Sequence, residues 1–85
     1  MAVVEIYTRS TCGYCVRAKR LLAMRGVDYK EISIDGDQSS RATMIERANG
    51  RTTVPQIFIN GQHVGGCDDL FELEQDGKLA DLLAA

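Results

Sequence analysis

The chain has 85 residues, 45% of them hydrophobic, and a formal net charge of −2. This length fits one domain over residues 1–85, which we expect to be monomeric. No apolar run approaches the ~20 residues of a membrane-spanning helix. Neither a membrane nor a nucleic-acid partner is predicted. Three cysteines are too few for a disulfide-built secreted miniprotein, so a reducing, cytoplasmic location is expected.

Runs of β-branched residues and helical apolar stripes predict eight elements. Capping signals mark the helix starts: Ser10 or Thr11 for the first helix, Asp37 for the second, and Asp69 with Glu72, spaced like a capping box, for the third. In chain order, the predicted elements are strand 3–7, helix 12–26, strand 27–34, helix 38–48, strand 54–60, strand 62–66, helix 68–77 and helix 78–85.

The order β-α-β-α-β-β-α-α predicts an α/β fold. A strand-helix-strand unit implies two parallel strands joined by a right-handed crossover. Asn60–Gly61 is a strong hairpin signal, and the hairpin adds antiparallel strands. We therefore predict a four-stranded mixed sheet flanked by helices.

Two cysteines, Cys12 and Cys15, lie where the first strand gives way to the first helix. Residues three apart share a helix face, so their thiols could form a disulfide. Cys12 falls at the helix start, where unpaired N–H groups and the helix dipole favour a thiolate, whereas Cys15 lies one turn deeper on the apolar stripe. This asymmetry suits a dithiol exchange catalyst, in which one sulfur attacks and the other resolves.

Basic residues surround this cysteine pair. Residues 1–25 carry five basic side chains against one acid, while residues 26–85 carry eleven acids against five bases. Two interpretations stay open at this point. The basic side chains could form a solvated helix face, or they could create a positive field that attracts anions and favours the thiolate.

Two other roles for the cysteine pair fit the sequence less well. An inert buried pair would not account for Cys12 at a helix entrance beside Arg9. A structural zinc site would need His63 and Cys67 as further ligands, but the 47 residues between Cys15 and His63 exceed the usual separation of ~12–20. No metal ligands are therefore predicted.

The combination of "CGYC", "RTTVPQIF" and "GGCDDL" at these separations resembles the glutaredoxins, and most closely the short bacterial dithiol (type three) members. The resemblance runs the whole length of the chain. It implies the thioredoxin fold and a glutathione-dependent thiol–disulfide oxidoreductase. Such an enzyme reduces glutathione mixed disulfides and disulfide-containing proteins, with glutathione as co-substrate. A thioredoxin-like reductant that is indifferent to glutathione is the rival activity.

The resemblance also implies roles for individual residues. Cys12 and Cys15 would be catalytic. Val54, before a cis Pro55, would pair with the glutathione backbone, Arg9 would meet the glycine carboxylate, and the helix start near Asp68 would hold the γ-glutamyl end. The glutathione-binding residues implied in this way are Arg9, Tyr14, Thr53, Val54, Pro55, Gly66, Cys67, Asp68 and Asp69.

Gly13 departs from the pattern, because many dithiol relatives carry proline there. Glycine loosens the turn and keeps an N–H that proline lacks. Some relatives without that proline hold a [2Fe–2S] cluster between two subunits with glutathione as co-ligand, so a cluster carrier is the alternative function. Cys67 is interpreted as a small structural residue in preference to a regulatory thiol.

Overall fold

The eight predicted elements are present in the predicted order. The structure, a computed structural model, describes residues 2–84, so the last residue of the predicted final helix lies outside the described part. The elements are β1 (Val4–Thr8), α1 (Gly13–Met24), β2 (Lys30–Ser33), α2 (Gln38–Arg47), β3 (Gln56–Ile59), β4 (Gln62–Gly65), α3 (Cys67–Gln75) and α4 (Leu79–Ala84).

The four strands form one mixed sheet in the order β2-β1-β3-β4. β1 runs parallel to β2, and β3 pairs antiparallel with both β1 and β4. The predicted four-stranded mixed sheet is therefore confirmed. Because β1 is a central strand that leads directly into α1, the first cysteine comes at the end of the sheet, beside the segment that enters β3.

The core lies on both faces of this sheet because successive strand residues point to opposite sides. Ile6 and Ile57 belong to the cluster that α1, α3 and α4 cover, whereas Tyr7 and Phe58 belong to the cluster that α2 covers. Full burial of an Ile, Leu or Phe side chain contributes about 1.5–3 kcal/mol. The first cluster also includes Ala18, Leu21, Leu22, Leu70 and Leu79, and it fixes α1 against the sheet.

The structure corrects three of the predicted boundaries. Cys12 caps α1, where Ser10 or Thr11 was expected. The second strand begins only at Lys30, because the Val27 N–H bonds to a carbonyl at the end of α1, at 3.3 Å, and so belongs to the helix terminus. α3 begins one residue early, with Gly66 as its N-cap.

Candidate active site

The sulfur of Cys12 occupies the N-cap position of α1. Cys12 has extended backbone angles, φ −133° and ψ 104°, and its Sγ accepts a hydrogen bond from the backbone N–H of Cys15 at 3.1 Å. An N-cap side chain normally satisfies one of the unpaired N–H groups of the first turn. Here sulfur does so, which means that a negative charge on Cys12 meets an N–H donor and the positive end of the helix dipole.

Cys15 has the opposite environment. Its side chain is buried, with 1% exposure, one turn into α1. Burial, and after it the hydrogen bond with Cys12, raises the pKa of Cys15 to about 12. Cys15 is therefore inaccessible and hard to ionise, as the sequence predicted for the deeper of the two thiols. Cys12 is half-buried, and both Cys15 and Cys67 are buried and free.

The segment that enters β3 lies against the Cys12 sulfur. The Cys12 thiol donates to the carbonyl oxygen of Val54 at 3.7 Å. The Val54–Pro55 peptide bond is cis, so the cis proline that the resemblance implied is confirmed. This long contact brings together two parts of the chain that are 42 residues apart, and it places backbone groups of the Val54 segment beside the reactive sulfur.

A continuous groove runs past this sulfur. It consists of two adjoining cavities of about 390 and 290 Å³, and Tyr14, Thr53 and Val54 line both. Nine of the eleven residues that were predicted for the site line this groove, and the buried Cys15 contacts it through Cys12, whose sulfur accepts the Cys15 N–H. The first cavity is lined by Arg9, Thr11, Cys12, Gly13, Tyr14, Thr52, Thr53 and Val54, and the second by Tyr14, Arg51, Thr53, Val54, Pro55, Gly66, Cys67 and Asp68.

Besides the buried Cys15, Asp69 is the predicted site residue that the structure does not bring to the groove lining. Its carboxylate accepts the Gly66 N–H at 2.8 Å and pairs with Arg51 at 3.1 Å. The Gly66 N–H and then Arg51 hold the pKa of Asp69 below its usual value. Asp69 therefore caps α3 from within, while Asp68 is exposed at the groove. The role of either residue as a glutathione contact stays a prediction.

Glycine is required at one position beside this helix start. Gly65 has φ +123°, and a Cβ there would lie 2.3 Å from the Asp69 carboxylate and 2.9 Å from the Arg51 guanidinium. Only a residue without a side chain allows this backbone angle and this close approach. The first N–H groups of α3 after Gly66 have no acceptor within the helix, so they remain available to an anion in the groove.

Arg51 is a groove residue that sequence reasoning missed. Its guanidinium lines the cavity next to Asp68 and also pairs with Asp69. The signal in the sequence was a basic residue two positions before Thr53, in the same segment as the predicted contacts. That signal was weak, because it depends on the α3 start folding back to meet it.

The positive field around the cysteines is smaller than the count of basic residues suggests. Lys19 pairs with Glu31 at 3.0 Å, and Arg25 pairs with Glu74. These two cations act as structural partners, which supports the interpretation of a solvated helix face for that part of α1. Of the basic residues before position 26, Arg9 lines the groove, and Arg17 lies over the Phe71 ring at 5.2 Å.

The described residues, 2–84, offer neither a metal cluster nor a membrane span. None of their groups of His, Cys, Asp and Glu side chains is arranged to hold a metal ion. His63, the ligand that a zinc site would have needed, bonds to Gln56 at 2.7 Å. Within the same part of the chain, no helix has the length and apolarity needed to cross a bilayer.

Comparison with known proteins agrees with this geometry. The glutaredoxin family model matches residues 4–64. Glutaredoxin 3 of Escherichia coli K12 is 59% identical over 83 residues, which cover 98% of this chain and 99% of the relative. The solution structure of a Brucella melitensis glutaredoxin is 55% identical, with a TM-score of 0.85, and covers 98% of this chain and 89% of that one.

A crystal structure of a buckwheat glutaredoxin–glutathione complex is similar as well. It is 35% identical, with a TM-score of 0.89, and covers 98% of this chain and 77% of that one. These neighbours confirm the predicted thioredoxin fold. The family match spans more than half of the chain, and the similarity to E. coli Glutaredoxin 3 spans nearly all of it. The chain therefore belongs to the glutaredoxin family and is a thiol–disulfide oxidoreductase.

Proposed function

We propose that the chain reduces glutathione mixed disulfides and protein disulfides with glutathione as co-substrate, and that Cys12 is its nucleophile. The observation that carries this proposal is the position of the Cys12 sulfur. It caps α1, it lies at the wall of a groove, and it is the one thiol of the three that is not buried. A buried, neutral thiol neither meets a large substrate nor attacks a disulfide quickly.

With a mixed disulfide as substrate, the Cys12 thiolate attacks the glutathione sulfur. A Cys12–glutathione disulfide forms, and the substrate sulfur leaves as a thiolate that takes a proton from solvent. The thiolate of a second glutathione then attacks the glutathione sulfur of this adduct. Glutathione disulfide forms, and Cys12 leaves as a thiolate that the Cys15 N–H stabilises from 3.1 Å.

With a protein disulfide as substrate, Cys12 attacks one substrate sulfur and Cys15 resolves the product. Cys15 loses its proton and attacks the Cys12 sulfur, which releases the reduced substrate and leaves a Cys12–Cys15 disulfide. Two molecules of glutathione reduce that disulfide. Part of the raised Cys15 pKa comes from the Cys12 sulfur, and that part is lost once Cys12 is bound in a disulfide. Cys15 thus ionises more readily when it is needed.

Glutathione is assigned to the groove in one direction. Its cysteine backbone pairs with Val54, whose carbonyl becomes free when the Cys12 thiol no longer donates to it. Its glycine carboxylate meets Arg9 at one end, and its γ-glutamyl group meets Asp68 and the start of α3 at the other. Arg9 lines one cavity and Asp68 lines the other, and Tyr14 and Val54 line both. This arrangement supports a single extended ligand. The remaining assigned groove contacts are Thr53, Pro55, Gly66 and Cys67, and Asp69 is assigned to the site through the Gly66 N–H that it holds.

The test compares two disulfides that differ in glutathione. The mixed disulfide of glutathione with 2-mercaptoethanol is reduced by glutathione, coupled to glutathione reductase. Bis(2-hydroxyethyl) disulfide is reduced by dithiothreitol, so no glutathione is present. We expect kcat/KM to be much higher for the first substrate. Equal values would favour the thioredoxin-like reductant and would overturn the glutathione dependence.

A [2Fe–2S] cluster shared between two copies stays a second hypothesis without support in this structure. Such a site would use Cys12 with glutathione as co-ligand, since the other two cysteines are buried. Visible absorbance after anaerobic purification with glutathione tests it. A cytoplasmic location is part of the proposal, because the reaction consumes reduced glutathione.

A further inference from the structure

Gln56 is a fully buried polar residue directly behind the groove. It follows Pro55 and has 0% exposure. Its Nε2 donates to the carbonyl oxygen of Thr53 at 2.9 Å and contacts the Thr53 hydroxyl at 3.3 Å. Burying an amide costs free energy unless its polar atoms are paired. A hydrophobic residue would fill the same space in β3, so the amide calls for an explanation.

The bond to Thr53 orients the peptide unit that the substrate meets. The Thr53 carbonyl and the Val54 N–H belong to one planar trans peptide, so they point in opposite directions. Because Gln56 holds the carbonyl toward the interior, the Val54 N–H is directed away from the interior, on the side of the groove that Val54 lines. A rotation of this peptide plane would withdraw the donor from any ligand lying there.

His63 fixes the orientation of the Gln56 amide. Its Nε2 lies 2.7 Å from Gln56 Oε1, and its ring packs on Phe58 with centroids 5.1 Å apart. Since Gln56 Nε2 donates to Thr53, Oε1 must accept, and the hydrogen of this contact lies on His63 Nε2. A flipped amide would bring its oxygen against the Thr53 carbonyl, so that two acceptors face each other, and would require the other tautomer of His63. The three residues form one chain of hydrogen bonds that leads from β4 to the groove.

We propose that Gln56, held by His63, is a positioning residue that aims the Val54 N–H at the backbone of bound glutathione. This inference rests on the proposed glutathione-dependent function and deepens it. Gln56 is fully buried and lines neither cavity of the groove, so we expect its effect to reach the substrate through the Thr53–Val54 peptide.

Two substitutions at Gln56 separate positioning from packing. Gln56→Met keeps the length of the side chain and removes both polar ends. Gln56→Glu keeps an acceptor for His63, but when ionised it cannot donate to the Thr53 carbonyl. Both variants should raise the apparent KM for the mixed disulfide of glutathione with 2-mercaptoethanol by about 5- to 30-fold, as the weakening of one ligand hydrogen bond predicts. The kcat should stay near that of the unmodified protein, because the lost hydrogen bond stabilises the bound substrate and the transition state equally.

The controls make each outcome decisive. Gln62→Met changes an exposed glutamine of the same hairpin and should leave KM unchanged. Reduction of bis(2-hydroxyethyl) disulfide by dithiothreitol should be equal in all variants, since that substrate has no peptide backbone. As the pH falls, the KM of Gln56→Glu relative to the unmodified protein should decrease, because a protonated carboxyl can donate to Thr53 again. If Gln56 acted only on folding stability, neither the KM of the folded variants nor its pH dependence relative to the unmodified protein would change.

A variant of the second residue covers the case in which Gln56→Glu does not fold. His63→Phe keeps the ring on Phe58 and loses the hydrogen bond, so KM should rise by a smaller factor of about 2- to 10-fold. The proposal is overturned if Gln56→Met folds with an unchanged KM, or if both substrates lose rate equally. If the unmodified protein itself does not distinguish the two disulfides, the proposed function has failed, and that result is separate from any effect of Gln56.

Discussion

Cys12 combines two roles that substitution can separate. Its sulfur caps α1 by accepting the Cys15 N–H at 3.1 Å, and it is the proposed nucleophile. Serine retains a cap acceptor without a thiol, whereas alanine removes both. We predict that Cys12→Ser and Cys12→Ala both abolish reduction of a glutathione mixed disulfide, and that only Cys12→Ala destabilises the fold.

The expected size of the stability effect follows from the cap. Replacement of a good N-cap side chain by alanine costs typically about 1 kcal/mol. For a domain of this length, that corresponds to a Tm lowered by about 4–8 °C. Cys12→Ser should melt at or above the temperature of the unmodified reduced protein, because serine is among the preferred N-cap residues. Differential scanning calorimetry under reducing conditions measures both values.

Cys15→Ala is the matched comparison for activity. The monothiol steps need only Cys12 and a second glutathione, so Cys15→Ala should retain a substantial fraction of activity toward the mixed disulfide and lose most of its activity toward a protein disulfide. The coupled glutathione reductase assay measures the first activity, and insulin reduction measures the second. Equal loss of mixed-disulfide activity in the Cys12 and Cys15 variants would refute the assignment of the nucleophile.

Three further predictions follow from the geometry. Gly13 has open space at its Cβ position and is the first residue of α1, so Gly13→Pro should fold and raise the free energy of unfolding by about 0.4–1 kcal/mol in denaturant titration. Arg9→Ala should raise the KM for the mixed disulfide by roughly 5- to 100-fold at low salt and less at high salt, whereas the exposed control Arg41→Ala should not. The hydrogen bond with Arg47 lowers the pKa of Glu5, so the unmodified protein should be more stable than Glu5→Gln at pH 7, by about 1–2 kcal/mol. This difference in the free energy of unfolding should vanish as the pH falls through that lowered pKa. A difference that persists below it would contradict the ion pair.

Local patterns predicted the elements and the sheet, because those depend on residues close in sequence. The element order, the parallel strand pair, the hairpin and the deeper position of Cys15 were expected from short patterns, and the cis proline from the resemblance to the glutaredoxins. The helix start was not. Ser10 is a preferred N-cap residue, but α1 begins after Cys12. The Ser10 backbone N–H donates to the Asp35 carboxylate at 2.8 Å, and this contact joins residues 25 apart. Such a partner is visible only once the two loops after β1 and β2 lie side by side.

Two residues, one lining the groove and one buried behind it, escaped sequence reasoning for the same reason. Arg51 becomes part of the groove through Asp69, which is 18 residues away. Gln56 looked like one polar position in a strand, and only the folded hairpin brings His63 to its amide oxygen. Both roles depend on partners whose spacing along the chain carries no pattern of its own.

The different environments of the Cys12 and Cys15 sulfur atoms depend on the residue at which α1 begins. If α1 began after Thr11, as capping preferences suggest, Cys12 would be the first helical residue, and its side chain would no longer occupy the place that accepts the third N–H. In the structure the helix begins one position later than Thr11 would give, and the sulfur takes the acceptor position itself. The same shift leaves Cys15 on the buried face, three residues on, where burial keeps its proton in place. The position at which the helix begins therefore sets both the half-buried sulfur that accepts an N–H and the buried sulfur that keeps its proton.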